Sequence, residues 1–310
     1  MRVIGSDARG EERPSRVAEV GERDGRDGER AGTEGVEAAS PGPWHPLDVA
    51  AKPVVLDRLR VQAAAFFDLI RPERVWEDPT AAGHWEVRDL AAQMVAETTR
   101  HLVGLTAPAS TCPTAPPSLR RHARRNDEVT MAARVVGRGD TIATLRDRLA
   151  VVLALLEGLD ATMWTRPVAA HPVFGPVSGA FCAVHQILSY TVYAWDIREG
   201  RRQRHAVSAD AADMASPFLL TTWQRTLYAA PAGPIRVGVQ VSGRNGAGYL
   251  VDVDRTGGLS YALGDAWSAP AVLAFDPGSF LLTVYGRVNG GCDYGDLALA
   301  RKFRNLFFRI

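Results

Sequence analysis

Apolar residues recur every three or four positions through most of the chain between residues 45 and 230. This spacing places apolar side chains on one face of a helix, and it predicts helices bounded by capping residues and prolines. Residues 1–44 lack the pattern and are rich in Gly, Glu, Asp and Arg, so we expect a disordered tail there. The predicted helices cover about 54–69, 87–105, 140–159, 180–198 and 209–227.

The period changes at Pro231, where a Pro-Ala-Gly-Pro sequence ends the helical region. Apolar and polar residues then alternate over 235–241 and 249–253, which predicts strands with one buried face. Asn245 and Gly246 between them form a typical hairpin-turn dipeptide. We therefore expect an α+β multidomain chain, with a disordered tail, a helical bundle and a small α/β domain at residues 1–44, 45–230 and 231–310.

The composition is that of an ordinary folded protein, with 46% hydrophobic and 23% charged residues. The net charge of +1 lacks the basic excess that nucleic-acid binders carry, so we expect no nucleic-acid partner. The densest basic run, at residues 120–125, adjoins a Pro-rich connector, and this setting favours a solvated loop.

The three cysteines, Cys112, Cys182 and Cys292, are far apart and form no CxxC pair, which argues against a disulfide framework or a zinc knuckle. The first residues contain no apolar core of the kind that signal peptides have. The longest apolar run, Leu149–Leu156, is too short to span a membrane. We therefore expect a cytoplasmic protein with no membrane partner, acting as a monomer or homodimer.

Polar residues form one row on each of two predicted helices. The members of each row are four residues apart, so they lie along one face: Gln93, Glu97 and His101 on the second helix, and His185, Ser189 and Tyr193 on the fourth. Two such rows that face each other in a bundle can form a metal or substrate site. The alternative is a buried hydrogen-bond network with a purely structural role.

Three segments of the chain resemble one protein family. The stretch 76–94 is similar to the start of the metal-bearing helix of DinB-like proteins, and 175–197 is similar to their second ligand helix, which often ends in His-x-Trp-Asp. The C-terminal pattern is similar to a sterol-carrier-protein-like domain. It consists of Asp276-Pro277, Phe280-Leu281, Gly286-Arg287 and Gly295–Ala298. Together these segments resemble the DinB-like, mycothiol-dependent maleylpyruvate isomerase family over nearly everything after residue 45.

The resemblance implies a DinB-like four-helix bundle followed by a small sterol-carrier-like α/β domain. It also implies a divalent metal, usually zinc, held by a histidine on the first ligand helix and by two residues four apart on the second. The matching positions here hold Gln93, Ser189 and Tyr193, which are poor zinc ligands. We therefore expect no conventional metal site, with a shifted site of Glu97, His101 and His185 as the alternative.

The resemblance implies a mycothiol-dependent isomerase or thiol S-transferase-like enzyme of small-molecule metabolism. Because the implied metal ligands are missing, we expect a divergent member that acts without metal on a specialised metabolite. The alternative is a non-catalytic protein that binds a hydrophobic small molecule. The candidate catalytic residues are Tyr193, His185 and Arg287, and the candidate substrate-binding residues are Gln93, Glu97, Ser189 and Trp195. By resemblance Arg287 would bind a carboxylate, although a salt bridge to Asp276 or Asp296 explains it equally well. We expect Asp196 to cap a helix or to pair with an arginine.

Overall fold

The computed structural model describes residues 45–107, 119–167 and 169–307. The predicted disordered tail, most of the Pro-rich connector and Cys112 lie outside the described residues.

The predicted helices are all observed within one turn of their expected ends. The helices before residue 230 are α1 (Lys52–Ile70), α2 (Val87–Thr106), α3 (Leu119–Ala132), α4 (Arg138–Gly158), α5 (Ala161–Thr165), α6 (Gly179–Gly200) and α7 (Ala209–Thr226). The helices α1, α2, α4 and α6 pack against one another and bury their apolar stripes, as in a helical bundle. None of the described helices is both long and apolar enough to cross a membrane.

Local sequence determines where α2 and α6 begin, and these two helices carry most of the predicted site. At the start of α2, the backbone N–H of Glu86 donates to the carboxylate of Asp89 at 2.8 Å, and the Glu86 side chain accepts from the Asp89 backbone. At the start of α6, the hydroxyl of Ser178 accepts from the backbone N–H of Phe181 at 3.1 Å. These side chains satisfy amides that a first helical turn leaves unpaired, so each helix has a defined first residue.

The basic segment 120–125 is helical, and the prediction of a solvated loop was wrong. No apolar stripe marks α3, but its charged residues support one another along the helix, as Arg124 and Glu128 do at 3.1 Å. Arg134, in the turn after α3, donates to both carboxylate oxygens of Asp89 in α2 at 2.8 and 2.6 Å. Contacts with another helix therefore fix a segment whose own sequence predicts a loop.

The segment 169–179, which lies between two of the predicted helices, forms a small hairpin. Its strands β1 (Ala169–His171) and β2 (Gly175–Val177) are antiparallel, with His171 opposite Gly175. Gly175 has a φ of +78°, a left-handed conformation that glycine adopts without strain. Strands of three residues are too short to show an alternating pattern, which is why the sequence did not predict them.

A five-stranded sheet forms the C-terminal part, in the order β5-β4-β3-β6-β7. Its strands are β3 (Ile235–Val241), β4 (Gly248–Val253), β5 (Leu259–Leu263), β6 (Ala271–Phe275) and β7 (Cys292–Gly295). β3 and β6 are parallel, and the other neighbouring strands are antiparallel. Helices α8 (Pro277–Val284) and α9 (Leu297–Arg304) follow β6 and β7, so the chain has the expected α+β class.

Aromatic rings join the helical part to the sheet. The ring of Trp223 in α7 lies 6.2, 5.8 and 5.3 Å from the rings of Phe275, Phe280 and Phe303, measured between centroids. Such edge-to-face pairs add to the hydrophobic stabilisation of the contact. The chain from residue 45 onwards packs as one compact unit, so the division into two domains near residue 230 stays a prediction.

Candidate functional site

A cavity of about 820 Å³ lies where the bundle meets the C-terminal part of the chain. Its walls come from α2, α3, the hairpin, α6, the loop before α2 and the turn after α8. Every residue that the sequence placed in a candidate site lines this cavity: Gln93, Glu97, His101, His185, Ser189, Tyr193, Trp195 and Arg287.

Glu97 is the centre of a buried hydrogen-bond network on the cavity wall. The hydroxyl of Tyr193 donates to Glu97 Oε1 at 2.8 Å, and Gln93 Nε2 donates to the same oxygen at 3.1 Å. The Thr130 hydroxyl of α3 donates to Gln93 Oε1 at 3.2 Å. The buried hydrogen-bond network that was the alternative to a metal or substrate site is therefore present. It links α2, α3 and α6.

Neighbouring groups determine the charge of this network. Burial raises the pKa of Glu97, whereas the charge of Arg100 and the hydrogen bond from Tyr193 lower it, and the pKa lies below its ordinary value. Glu97 is therefore ionised at neutral pH. Burial, and then the charge of Glu97, raises the pKa of Tyr193 well above its ordinary value, so the Tyr193 hydroxyl keeps its proton.

Gln93, Ser189 and Tyr193, which occupy the metal positions implied by the resemblance, do not fit a divalent cation. Gln93 and Tyr193 donate to Glu97, and the Ser189 hydroxyl donates to the backbone carbonyl of His185 at 3.1 Å. All three are neutral donors, and a phenol whose pKa is raised does not ionise to bind a metal. These three residues therefore provide no metal site of the implied kind.

Three histidines meet at another part of the cavity wall. His101 of α2, His171 of β1 and His185 of α6 each place a ring nitrogen within 4.8 Å of those of the other two. The closest pair is His101 Nε2 and His185 Nδ1, which are 3.1 Å apart. The alternative metal site predicted from the sequence combined His101 and His185 with Glu97. In the structure, the third member of this cluster is His171.

Burial keeps the three imidazoles neutral. It lowers the pKa of His101 and His171 to well below the ordinary value, and it also lowers that of His185. The rings of Phe174 and Phe181 pack on His185, with centroids 5.3 and 5.8 Å from its own. The cluster thus presents neutral imidazole nitrogens, partly shielded by aromatic rings, at the surface of the cavity.

Gly104 allows the hairpin to lie against α2 and thereby positions His171. A Cβ atom at residue 104 would meet the backbone carbonyl oxygen of Ala170 far inside van der Waals contact. Any larger residue would therefore push β1 away from α2. Gly104 is one helical turn beyond His101, so the same close approach determines the distance between His101 and His171.

Gly104→Ala is expected to lower the free energy of unfolding by about 1–3 kcal/mol, because the methyl group overpacks the contact with β1. Gly139→Ala is the matched control, since a Cβ there meets open space and α4 gains up to about 1 kcal/mol of helix propensity. Urea unfolding of both variants measures the difference. A Gly104→Ala protein at least as stable as the wild type would show that this approach imposes no constraint.

Arg287 is held by Asp196, and the salt bridge to Asp276 or Asp296 considered from the sequence is not the one observed. The guanidinium donates from Nε and Nη2 to the two carboxylate oxygens of Asp196 at 2.7 and 2.8 Å. It also donates to the backbone carbonyl of Tyr285 at 2.9 Å. Asp196 is thus an arginine partner, one of its two predicted roles, and the pair connects α6 to the turn after α8.

The cavity is also lined by polar residues that sequence reasoning did not single out, among them Arg100, His122 and His171. Arg100 could have been found, because it lies three residues after Glu97 and therefore on the same side of α2. Burial, followed by the charge of Arg100, lowers the pKa of His122 to about 4. His171 offered no signal, since its position depends on how the hairpin packs on α2.

Comparison with known proteins gives a structural likeness without a sequence relative. No family model matches the chain, and no curated protein does. The solved structures of the mycothiol-dependent maleylpyruvate isomerase and of a mutant of that enzyme are similar to it, at 9% and 10% sequence identity. In both cases the TM-score is 0.49, over 78% of this chain and 92% of the other. The chain is thus structurally similar, at low identity, to solved structures titled mycothiol-dependent maleylpyruvate isomerase.

Proposed function

We propose that this chain is an enzyme of small-molecule metabolism that binds its substrate in the cavity and acts on it through Glu97 and Tyr193. The observation that carries the proposal is the buried carboxylate of Glu97 at the cavity wall, which accepts hydrogen bonds from Tyr193 and Gln93 and has a pKa below its ordinary value. Burying a charge costs free energy that a purely structural network could avoid. Perturbed titratable groups of this kind are concentrated at active sites.

For the reaction we propose a thiol-dependent isomerisation or S-transfer, with mycothiol as the candidate thiol. In the isomerisation, the thiolate sulfur forms a bond to one carbon of an activated double bond, and the electron pair moves onto the activating carbonyl oxygen. Rotation follows about what is now a single bond. Collapse of the enolate then breaks the carbon–sulfur bond, and it regenerates both the double bond and the thiolate.

The charges of the cavity suit these steps. Arg100 lines the cavity, and within the described part of the chain its guanidinium forms a long ion pair with Glu97, at 3.8 Å. A cation in this position would favour the thiolate over the thiol. Ionised Glu97 would accept the thiol proton as the thiolate forms, the protonated Tyr193 hydroxyl would donate to the developing enolate oxygen, and neutral His185 would carry a proton. Gln93, Ser189 and Trp195 would contact the substrate from the wall.

A second candidate is a non-catalytic protein that binds a hydrophobic small molecule. Aromatic side chains on several sides of the cavity favour it: Trp85, Phe174, Trp195 and Tyr285. An apolar pocket with a few polar groups suits binding and catalysis alike. Removing the Tyr193 hydroxyl distinguishes the two, because a binding protein loses one hydrogen bond and an enzyme loses its reaction.

Tyr193→Phe is expected to reduce turnover by a factor of about 100 or more, while weakening substrate binding about tenfold at most. Maleylpyruvate and mycothiol serve as probes, with turnover followed by NMR and binding by calorimetry. Tyr294→Phe is the matched control, since Tyr294 is half exposed and lies outside the cavity wall. Equal turnover in Tyr193→Phe and wild type would contradict the assigned role. Binding without turnover in the wild type would support the second candidate.

A further inference from the structure

We propose that His101, His171 and His185 bind one divalent transition-metal ion of the zinc class. The site differs from the positions that the resemblance implies, because none of its ligands is Gln93, Ser189 or Tyr193. It joins three elements that are distant in the sequence: α2, β1 and α6.

The spacing of the ring nitrogens suits a metal ion. In a tetrahedral zinc site with Zn–N bonds of about 2.0–2.1 Å, two nitrogens lie about 3.4 Å apart. His101 Nε2 and His185 Nδ1 are already 3.1 Å apart, and all three histidines have a ring nitrogen within 4.8 Å of the others. A bound ion would replace the hydrogen bond between His101 and His185, and the side chains would turn to bring all three nitrogens to this spacing.

The donor set selects the class of metal. Three neutral imidazoles favour Zn²⁺, Co²⁺, Ni²⁺ or Cu²⁺, whereas Ca²⁺ and Mg²⁺ require oxygen ligands. Three protein ligands leave a fourth tetrahedral position open, as catalytic zinc sites do. All three histidines line the cavity, so a bound substrate or thiol could occupy that position.

The ring of His171 changes its hydrogen bonds when it binds the ion. Its Nδ1 accepts from the backbone N–H groups of Val173 and Phe174, both at 3.2 Å, so the proton of the neutral ring is on Nε2. Coordination through Nε2 requires the proton to move to Nδ1, and the two amide contacts are then lost. These are N–H···N contacts at the long end of the hydrogen-bond range, and coordination of zinc by protein ligands is worth far more.

Charged residues near the cluster bear on the affinity in opposite directions. The guanidinium of Arg100, which lines the same cavity, repels a cation. The carboxylate of Glu97 is ionised and attracts a cation. The two lie 3.8 Å apart, so their fields partly cancel at the cluster, and coordination bonds decide the affinity.

The role of the ion in turnover rests on the proposed function, but its binding does not. A cation in this site would hold a thiol sulfur and lower its pKa, since a coordinated thiol is deprotonated. Binding is therefore measured without substrate. A chain that binds the ion but turns over neither probe would overturn the proposed function alone.

The test is a Co²⁺ titration of the full chain, made without a histidine tag and stripped with a chelator. Visible absorption reports tetrahedral coordination, and added Zn²⁺ should displace the cobalt whereas Ca²⁺ and Mg²⁺ should not. We expect one Co²⁺ per chain. His171→Ala and His185→Ala should each weaken binding by more than the roughly 10–100-fold that losing a partner of a ligand costs.

His84→Ala is the matched control, because His84 lines the same cavity but lies outside the cluster and is 67% exposed. It should bind Co²⁺ as the wild type does. His171→Gln is prepared alongside, since its amide oxygen can still accept from the hairpin backbone, and circular dichroism checks the fold of every variant. The proposal is overturned if the wild type gives no tetrahedral spectrum, if His171→Gln still gives one, or if His84→Ala abolishes it.

Discussion

Glu97→Gln is expected to lower kcat by a factor of about 10²–10⁴, the range that loss of a positioned acid or base produces. Glutamine keeps the size of the side chain, and its amide oxygen can still accept from Tyr193, as Glu97 Oε1 does at 2.8 Å. The substitution therefore removes the negative charge and little else. Because the pKa of Glu97 lies below its ordinary value, the fold favours the ionised carboxylate, and the substitution should also lower the free energy of unfolding at neutral pH.

Steady-state kinetics with maleylpyruvate and mycothiol measure this effect, and urea unfolding measures the stability of the same variant. Glu157→Gln provides the control, since Glu157 is half exposed on α4 and away from the cavity wall. A Glu97→Gln enzyme within threefold of the wild-type kcat would show that the carboxylate serves the fold and not the reaction.

Asp196→Ala is expected to lower the free energy of unfolding by about 3–5 kcal/mol, because it removes the carboxylate that neutralises the buried charge of Arg287. The Asp196 side chain is fully buried, and that of Arg287 is 10% exposed. The pair holds the turn after α8 against α6, so the same change should also loosen the cavity wall at Tyr285.

Urea unfolding compares this variant with Asp252→Ala, which breaks a pair of similar geometry on the surface of the sheet. Arg236 donates to both oxygens of Asp252 at 2.7 and 2.9 Å, but their side chains are 60% and 42% exposed. Exposed pairs contribute about 1 kcal/mol at most. Similar losses in the two variants would mean that burial does not strengthen the Asp196–Arg287 pair.

The sequence predicted those helices whose apolar residues follow the 3.6-residue period, because burial in a bundle selects that period. It missed α3, because this helix has no apolar stripe. The charged residues of α3 interact with one another, and the turn after it contacts α2. It likewise missed the hairpin of β1 and β2, since three-residue strands are too short to show alternation.

The candidate site was predictable to the extent that it depends on helical spacing. Gln93, Glu97 and His101 share a face of α2, and their grouping follows from intervals of four residues. His171 does not belong to either row. It reaches His101 and His185 only because Gly104 lets β1 lie against α2, a tertiary contact that no local pattern in the sequence reports.

The polar character of α3 has an evolutionary consequence. Among residues 121–132 only Thr130 is buried, so this helix contributes little apolar burial to the stability of the fold. It nevertheless supplies His122, Ala123 and Asn126 to the cavity wall. Mutations at these three positions can therefore accumulate at little cost in stability, and natural selection could alter which molecules the cavity accepts while α2 and α6 stay unchanged.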